Sequence, residues 1–370
     1  MKRELFFYFS LTVLTLSSCE NISEQTAIGS PLTFIKSEFL FNESEVNVEI
    51  LSSDSLILPD FAVYTIDILK DGSAWFYGHR QSQSDSLAYI IHFINNAAYL
   101  YTFADYPEVP FIKHISHDGN NHVFFSGFTG LLEYNGMGFY IYQPQDIELR
   151  NLKVICVGAD HEENVWFSLN DVEKGGIIKT DFETWSYFTP ENSPIPNRLI
   201  KNIEVDSDNR AWLSANDYVG DGGIIRVSEG SWKVFDLGLY WIRDLVVNTS
   251  GNVYTFIDYS LSSSLYHDGT YVMEYDGNGW KSVGSCEDPL NCPFGIITSN
   301  LSDNEGNIWI SAFEPNSGPE MFLYCYNGYE WSKYETPGET IFDMAVDPDG
   351  IFWLGTSGGI YKMSPVQNKL

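Results

Sequence analysis

The chain has 370 residues, with 50 Asp plus Glu against 20 Lys plus Arg and a formal charge of −30. A surface of that sign repels phosphate backbones, which proteins hold by neutralising them with Lys and Arg, so nucleic acid is excluded as a partner. The 44% hydrophobic content provides for a large core and excludes a disordered chain, 5 Cys are too few for a disulfide scaffold, and 25 Phe, 23 Tyr and 30 Gly favour strands and turns.

Met1-Lys2-Arg3-Glu4 precede an apolar run from Leu5 to Leu16. A basic start with about twelve apolar residues reads as a secretory signal, too short to span a bilayer as a helix. Leu16-Ser17-Ser18-Cys19 resembles the bacterial lipobox. That resemblance implies a signal peptide over 1–18, acyl chains on Cys19, and lipid as the sole membrane attachment. It also implies a place in a bacterial cell envelope, anchored in the outer membrane on its periplasmic or surface side. An ordinary signal peptide cleaved nearby is the alternative. Residues 19–41 are polar and weakly patterned, and are expected to serve as anchor and tether.

A repeat covers the rest. Its clearest copies are Asp303-Asn304-Glu305-Gly306-Asn307-Ile308-Trp309-Ile310-Ser311 and Asp347-Pro348-Asp349-Gly350-Ile351-Phe352-Trp353-Leu354-Gly355. Degenerate copies place an aromatic anchor at Trp75, Phe124, Trp166, Trp212 and Tyr254, making seven copies spaced by 49, 42, 46, 42, 55 and 44 residues. Each reads as four short strands. An alternating stretch such as Tyr64, Ile66 and Ile68 comes first, then an Asp/Asn/Gly turn and the strand with the anchor. A Gly-rich link such as Gly222-Gly223 leads to the third strand, and the fourth resembles Trp185-Ser186-Tyr187-Phe188. Four strands per period of this length are the signature of a propeller blade. The expected fold is all-β: a seven-bladed β-propeller of four-stranded blades over 42–366, with 367–370 a tail. The last copy stops after its third strand, Ile360 to Met363, so an N-terminal strand must close the last blade. Val46 to Leu51 is expected to supply it.

The repeat resembles that of the two-component regulator propeller family, best at Asn192-Ser193-Pro194-Ile195-Pro196-Asn197 leading to Asp206 and Trp212, and at Asp347 to Met363. The resemblance covers most of the chain and implies the propeller fold. It also implies kinship with the extracytoplasmic sensors of hybrid histidine kinases, whose ligands are often glycan fragments. This chain departs from that pattern, with one seven-bladed ring where the sensors usually have two and no legible kinase, regulator or DNA-binding segment. The resemblance therefore bears on fold more than on signalling.

Gly355-Thr356-Ser357-Gly358-Gly359 spells a hydrolase nucleophile elbow, but the elbow needs a strand followed by a helix, and here a Gly-rich turn joins two strands. The acidic turns at Asp206, Asp303 and Asp347 raise structural calcium, yet Arg210, Ile351 and Ile308 stand where an EF-hand loop needs oxygen or glycine. Tight turns held by side-chain to backbone hydrogen bonds are the preferred reading, with no cofactor expected. His79, His92, His114, His117, His122, His161 and His267 show no paired spacing, so no metal site is expected and surface or turn positions are. Cys286 and Cys292 sit six apart in the longest repeat and form either a disulfide or two free thiols. Cys156 and Cys325 are expected as small buried hydrophobes.

Recurring anchors argue for packing, so binding residues are to be sought where copies differ. The loops before the first and after the second strand of each blade open on one face and are long, unequal and rich in Tyr, Asp, Asn and Ser. Aromatic planes beside amides and carboxylates suit sugar rings, which makes Tyr218, Tyr240, Trp241 and Tyr259 candidates for stacking. Arg150, Arg198 and Arg243 stand out because arginine is scarce, and either pair with an acidic sugar or bridge blades. The expected function is an envelope-anchored, non-catalytic binding or sensing propeller for a glycan or other small ligand. A protein-interaction scaffold in an envelope complex is the alternative, and a propeller lyase or hydrolase comes after both.

Overall fold

The computed structural model describes residues 25–26, 29–39, 42–47, 55–59, 61–81, 88–95, 97–102, 111–216, 222–237, 241–258, 270–284, 296–313 and 320–364. The signal peptide, Cys19 and the tail at 367–370 lie outside them. The seven expected copies form seven antiparallel sheets. Their inner strands are Phe61–Ile68, Ile115–His117, Val154–Ala159, Ile200–Val205, Trp241–Val247, Ile297–Ser302 and Ile341–Val346, numbered here as blades 1 to 7. Among the described residues the one helix is the short Ile147–Arg150, and no helix is long and apolar enough to cross a membrane.

One turn explains why the repeat folds alike in each copy. The carboxylate or amide oxygen at Asp118, Asp160, Asp206, Asn248, Asp303 and Asp347 accepts the backbone N–H groups two and four residues on, as at Asp303 with Glu305 at 3.0 Å and Asn307 at 2.9 Å. The third residue after each of these positions, and after Leu69 in blade 1, is left-handed, which is why Gly stands at 72, 251, 306 and 350. The second carboxylate oxygen takes the indole N–H of the anchor in Trp212, Trp309 and Trp353, at 2.8 to 2.9 Å. Blade 1 has Leu69 at the turn position, and the Trp75 indole nitrogen there has no acceptor.

Across the sheet from six of the seven anchors sits a charged or titratable His, Lys, Arg or Glu, while Cys325 faces Trp309. Lys179, Arg226 and Lys362 lie over Trp166, Trp212 and Trp353, at 5.3, 5.9 and 4.0 Å from the ring centroids. His92 stacks on Trp75 at 4.1 Å. Where the anchor is Phe124 or Tyr254 the partner is a buried Glu133 or Glu274. A cation over an indole is worth roughly 0.5 to 2 kcal/mol, so several of the chain's few cations act inside the blades rather than on the surface.

The ring closes as expected, but with a different strand. Ser55–Ile57 pairs with Gly359–Met363 through Leu56 opposite Tyr361 and Ile57 opposite Ile360. The turn at Leu58, closed by Phe61 N–H to the Leu58 carbonyl at 3.0 Å, leads straight into blade 1, so the residues just before it lie on blade 7. Val46 and Asn47, expected to close blade 7, belong instead to Asn42–Asn47, paired with Ala97–Thr102 at the outer edge of blade 1. Residues 48–51 lie outside the described residues.

The segment expected as tether also departs from that reading over its described part. Phe34–Phe39 pairs with Phe139–Pro144 of blade 2, Ser30–Pro31 with Trp185–Phe188 of blade 3, and Gln25–Thr26 with Ser231–Phe235 of blade 4. Phe34 stacks on Trp185 at 3.9 Å. Residues 25–57 thus run round the outer rim against blade order, giving blades 1 to 4 a fifth strand and blade 7 its fourth.

Candidate functional site

The inner strands enclose a channel of about 680 Å3. Six of the seven carry a β-bulge at one place, where the pairing skips from Val63 to Thr65, Val154 to Val157, Ile200 to Asn202, Ile242 to Asp244, Ile297 to Ser299 and Ile341 to Asp343. A bulge frees one residue from the ladder and re-aims its side chain. In blade 2 the same place is held by Ser126, whose Oγ accepts the N–H groups of Lys113 and His114 at 3.1 and 2.9 Å. Eleven residues before each anchor, the position so treated reads Tyr64, Lys113, Ile155, Lys201, Arg243, Thr298 and Phe342. Here the copies differ most, at the channel end facing the long loops.

This mouth has two chemistries. Tyr64 packs against Phe342 and Phe111, with ring centroids 4.9 and 6.0 Å apart, and Phe111 is 59% exposed. On the other side Lys113, Trp241 and Arg243 line one cleft of about 440 Å3 with Thr298 and Asn300, and Trp241 is 41% exposed. Partial burial and the Lys113 charge hold the Lys201 ammonium below its ordinary value, so the cations act on one another.

Below the mouth a belt of buried polar groups ties blade to blade. Asp343 accepts from Thr65 Oγ1 at 3.0 Å, Ile66 N–H at 2.9 Å, Ser299 Oγ at 2.9 Å and Met344 N–H at 2.9 Å, joining blades 6, 7 and 1. Asp244 accepts from Asn202 Nδ2 at 2.5 Å and Asn300 Nδ2 at 2.9 Å, joining blades 4, 5 and 6. Cys156, fully buried, meets Ser168 Oγ at 3.0 Å, and burial pushes its thiol up to about 12. At the far end Asp67 meets His117 Nδ1 at 2.8 Å, and that carboxylate raises the His117 ring. Burial, with the Asp244 and Asp67 charges, pushes Glu204 up to about 8, and burial takes Asp343 to about 6.

These shifts fix a pH dependence. Glu204, Asp343 and His117 have folded values above their unfolded ones, so the stability they contribute is present at low pH and is lost as pH rises through the folded values. His92, which burial lowers to about 4, and His114, which burial lowers well below its ordinary value, act oppositely, losing stability as pH falls below about 6.5. The melting temperature is expected to rise as pH falls from 9 to about 6.5, then to level or fall. A scan at constant ionic strength checks this, and a melting temperature highest at pH 9 would refute it.

The sequence candidates divide. Trp241 and Arg243 meet at the mouth. Arg198 binds the Gly175 carbonyl at 2.9 Å and Glu191 at 2.5 Å, and Arg150 binds the carbonyls of Pro144 and Gln145, so both hold loops. Tyr218, Tyr240, Tyr259, Cys286 and Cys292 lie outside the described residues. Ser357 sits in the turn between Phe352–Thr356 and Gly359–Met363 with Oγ donating to Glu339 at 2.6 Å. Three histidines depart from the expected surface or turn positions, His114 and His117 lining the channel and His92 stacked on an indole, while His161 is exposed in a turn and His267 lies outside the described residues. Sequence reading missed Tyr64, Lys113, Lys201 and Phe342; their shared offset from the anchors was the available signal.

Comparison with family models matches residues 336–358 to the two component regulator propeller family. No curated protein matches the sequence. Among solved structures the chain is similar to virginiamycin B lyase from Staphylococcus aureus, with 13% identity over 87% of this chain and 99% of that one, at a TM-score of 0.60. It is similar to a structure described as the extracellular domain of a hybrid two component system of B. thetaiotaomicron, with 14% identity, 87% and 40% coverage and a TM-score of 0.53. It is also similar to PorZ, described as a bacterial surface component of the type-IX secretion system of Porphyromonas gingivalis, with 13% identity, 82% and 46% coverage and a TM-score of 0.57. The chain thus spans less than half the length of the last two. At such identities the likeness concerns the fold: the chain is a seven-bladed propeller, and its residues 336–358 match the two component regulator propeller repeat.

Proposed function

We propose that the chain is an extracytoplasmic recognition module that binds an anionic glycan or similar small anionic ligand at the mouth of its channel, without catalysis. It is held in the outer membrane by lipid on Cys19. The observation that carries this reading is the position eleven residues before the anchors, which places Lys113 and Arg243 in one cleft with Trp241, Lys201 within reach of the Lys113 charge, and Tyr64 packed on Phe342 and Phe111 at the same mouth. On a chain of formal charge −30, cations gathered beside aromatic planes suit a ligand with a carboxylate or sulfate and an apolar ring face. The extracellular or surface setting of two similar structures supports the location.

A thermal-shift panel of acidic and neutral oligosaccharides tests the reading, because a bound ligand adds RT ln(1 + [L]/Kd) to stability. Acidic members are expected to raise the melting temperature, and Trp241→Ala and Arg243→Ala each to weaken that response about tenfold or more. A flat panel, or equal shifts from neutral sugars, would overturn it. A protein partner is the second reading, favoured by the exposed Phe111, Ile147, Val172, Trp241 and Ile296, which all lie on the loop face. Cross-linking in the native envelope would capture that partner.

A further inference from the structure

Beyond the mouth, the inner strands place Asp67, Ser116, Gly158, Glu204, Val246, Leu301 and Ala345 at one level of the channel wall, two residues ahead of each turn. Asp67 is satisfied by His117. Asp244 and Asp343, nearer the mouth, are satisfied by the belt. Glu204 differs: among the described residues its carboxyl makes no hydrogen bond and no ion pair, although it lines the cavity and feels the charges of Asp244 and Asp67. Its neighbour across the blade boundary is Gly158, where a Cβ would stand 2.8 Å from Ile203 Cγ2, so backbone rather than a side chain lies beside it. A second group on the same wall is also left without a partner. The Nε2 of His114 is buried and unpaired, in a ring that burial keeps neutral and able to accept.

We propose that this lower part of the channel is a cation subsite, in which the Glu204 carboxylate takes the ammonium group of a bound organic molecule. An unpaired carboxyl in the channel wall gives an ammonium ion an oxygen acceptor of the kind it lacks once out of water. The other charged and titratable groups lining this channel are Asp67, Lys113, His114, His117, His161, Asp244 and Asp343, of which Asp244 and Asp67 act on Glu204. Because burial leaves Glu204 protonated near neutral pH, an arriving ammonium displaces that proton to solvent, and the resulting pair carries no net charge. A ligand reaching both ends would carry an anionic group for the mouth and an amine for the floor about 10 Å away, the span of three strand residues. The subsite itself stands independently of the mouth reading.

The test uses the full chain with 13C-labelled Glu carboxyls and methylammonium chloride as the probe, against sodium chloride at equal ionic strength. The Glu204 resonance is assigned by its loss in Glu204→Gln, or by its loss in Glu204→Asp should the first fail to fold. Its titration midpoint is expected to fall by one unit or more with methylammonium, saturably, and not with sodium. Trp241→Ala should leave this shift intact while weakening the response to acidic oligosaccharides, so the two readings fail separately. A midpoint that does not move, or that moves equally with sodium, overturns the subsite.

Discussion

A protein shortened to residues 58–370 is expected to give no folded monomer. The cut removes Ser55–Ile57, whose pairing with Gly359–Met363 supplies the outer strand of blade 7. Blade 7 then ends on a three-stranded sheet with unpaired edge groups, which template association between copies. The link between the chain's two ends is lost with it, and each backbone hydrogen bond given up is worth about 0.5 to 1.5 kcal/mol. Starting at residue 48 instead strips the rim strands of blades 1 to 4 but keeps the closing one. That protein is expected to remain folded and monomeric, melting several degrees lower. Size-exclusion chromatography and thermal melts separate the cases, and a monomeric 58–370 with the parent's melting temperature would refute this account of closure.

Asp343→Ala is expected to be among the most damaging point substitutions. The carboxylate accepts four hydrogen bonds from three blades, two of them reaching Thr65 and Ile66 at the far end of the sequence. Its removal leaves buried donors unanswered, at about 1 to 3 kcal/mol each where no water replaces the oxygen, so a loss of at least about 3 kcal/mol is expected. Asp343→Asn keeps one acceptor oxygen and should cost less. Because burial raises the Asp343 carboxyl from the ordinary carboxylate value to about 6, the parent loses stability as pH rises toward 6 and no further above it, and the penalty of the Asn variant relative to the parent should shrink between pH 5 and pH 8. Urea melts at both pH values give the comparison; an Ala variant as stable as the parent would show that the belt does not hold the ring.

Blade number and the turn that builds each blade were legible because one carboxylate does three jobs: it accepts two backbone N–H groups and, at Trp212, Trp309 and Trp353, the anchor's indole. Such a turn leaves a fixed spelling. The rim strands leave none: Phe-Ile-Lys-Ser-Glu-Phe at 34–39 and Asn-Glu-Ser-Glu-Val-Asn at 42–47 are short and share no repeat spelling, and their pairing is decided by outer edges distant in sequence. The choice between 46–51 and 55–57 for closure turned on the reach of the Leu58 turn, which alternation does not reveal. At the mouth, Arg243 and Trp241 could be singled out by rarity and loop position. Lys113 and Tyr64 could not, because backbone geometry, a bulge at Tyr64 and the Ser126 hydroxyl at Lys113, brings them to the channel rather than a residue type.

The backward course of residues 25–57 sets how the molecule bears mechanical load. A pull on the N-terminal side meets a two-residue pairing at Gln25–Thr26, another at Ser30–Pro31, then six-residue pairings at Phe34–Phe39 and Asn42–Asn47, and last the strand that shuts the ring. Tension would be spent on the weakest attachments first, one blade at a time, with slack chain released between steps. The four rim strands act as sacrificial fasteners, letting the molecule extend by several nanometres before any force reaches the seventh blade.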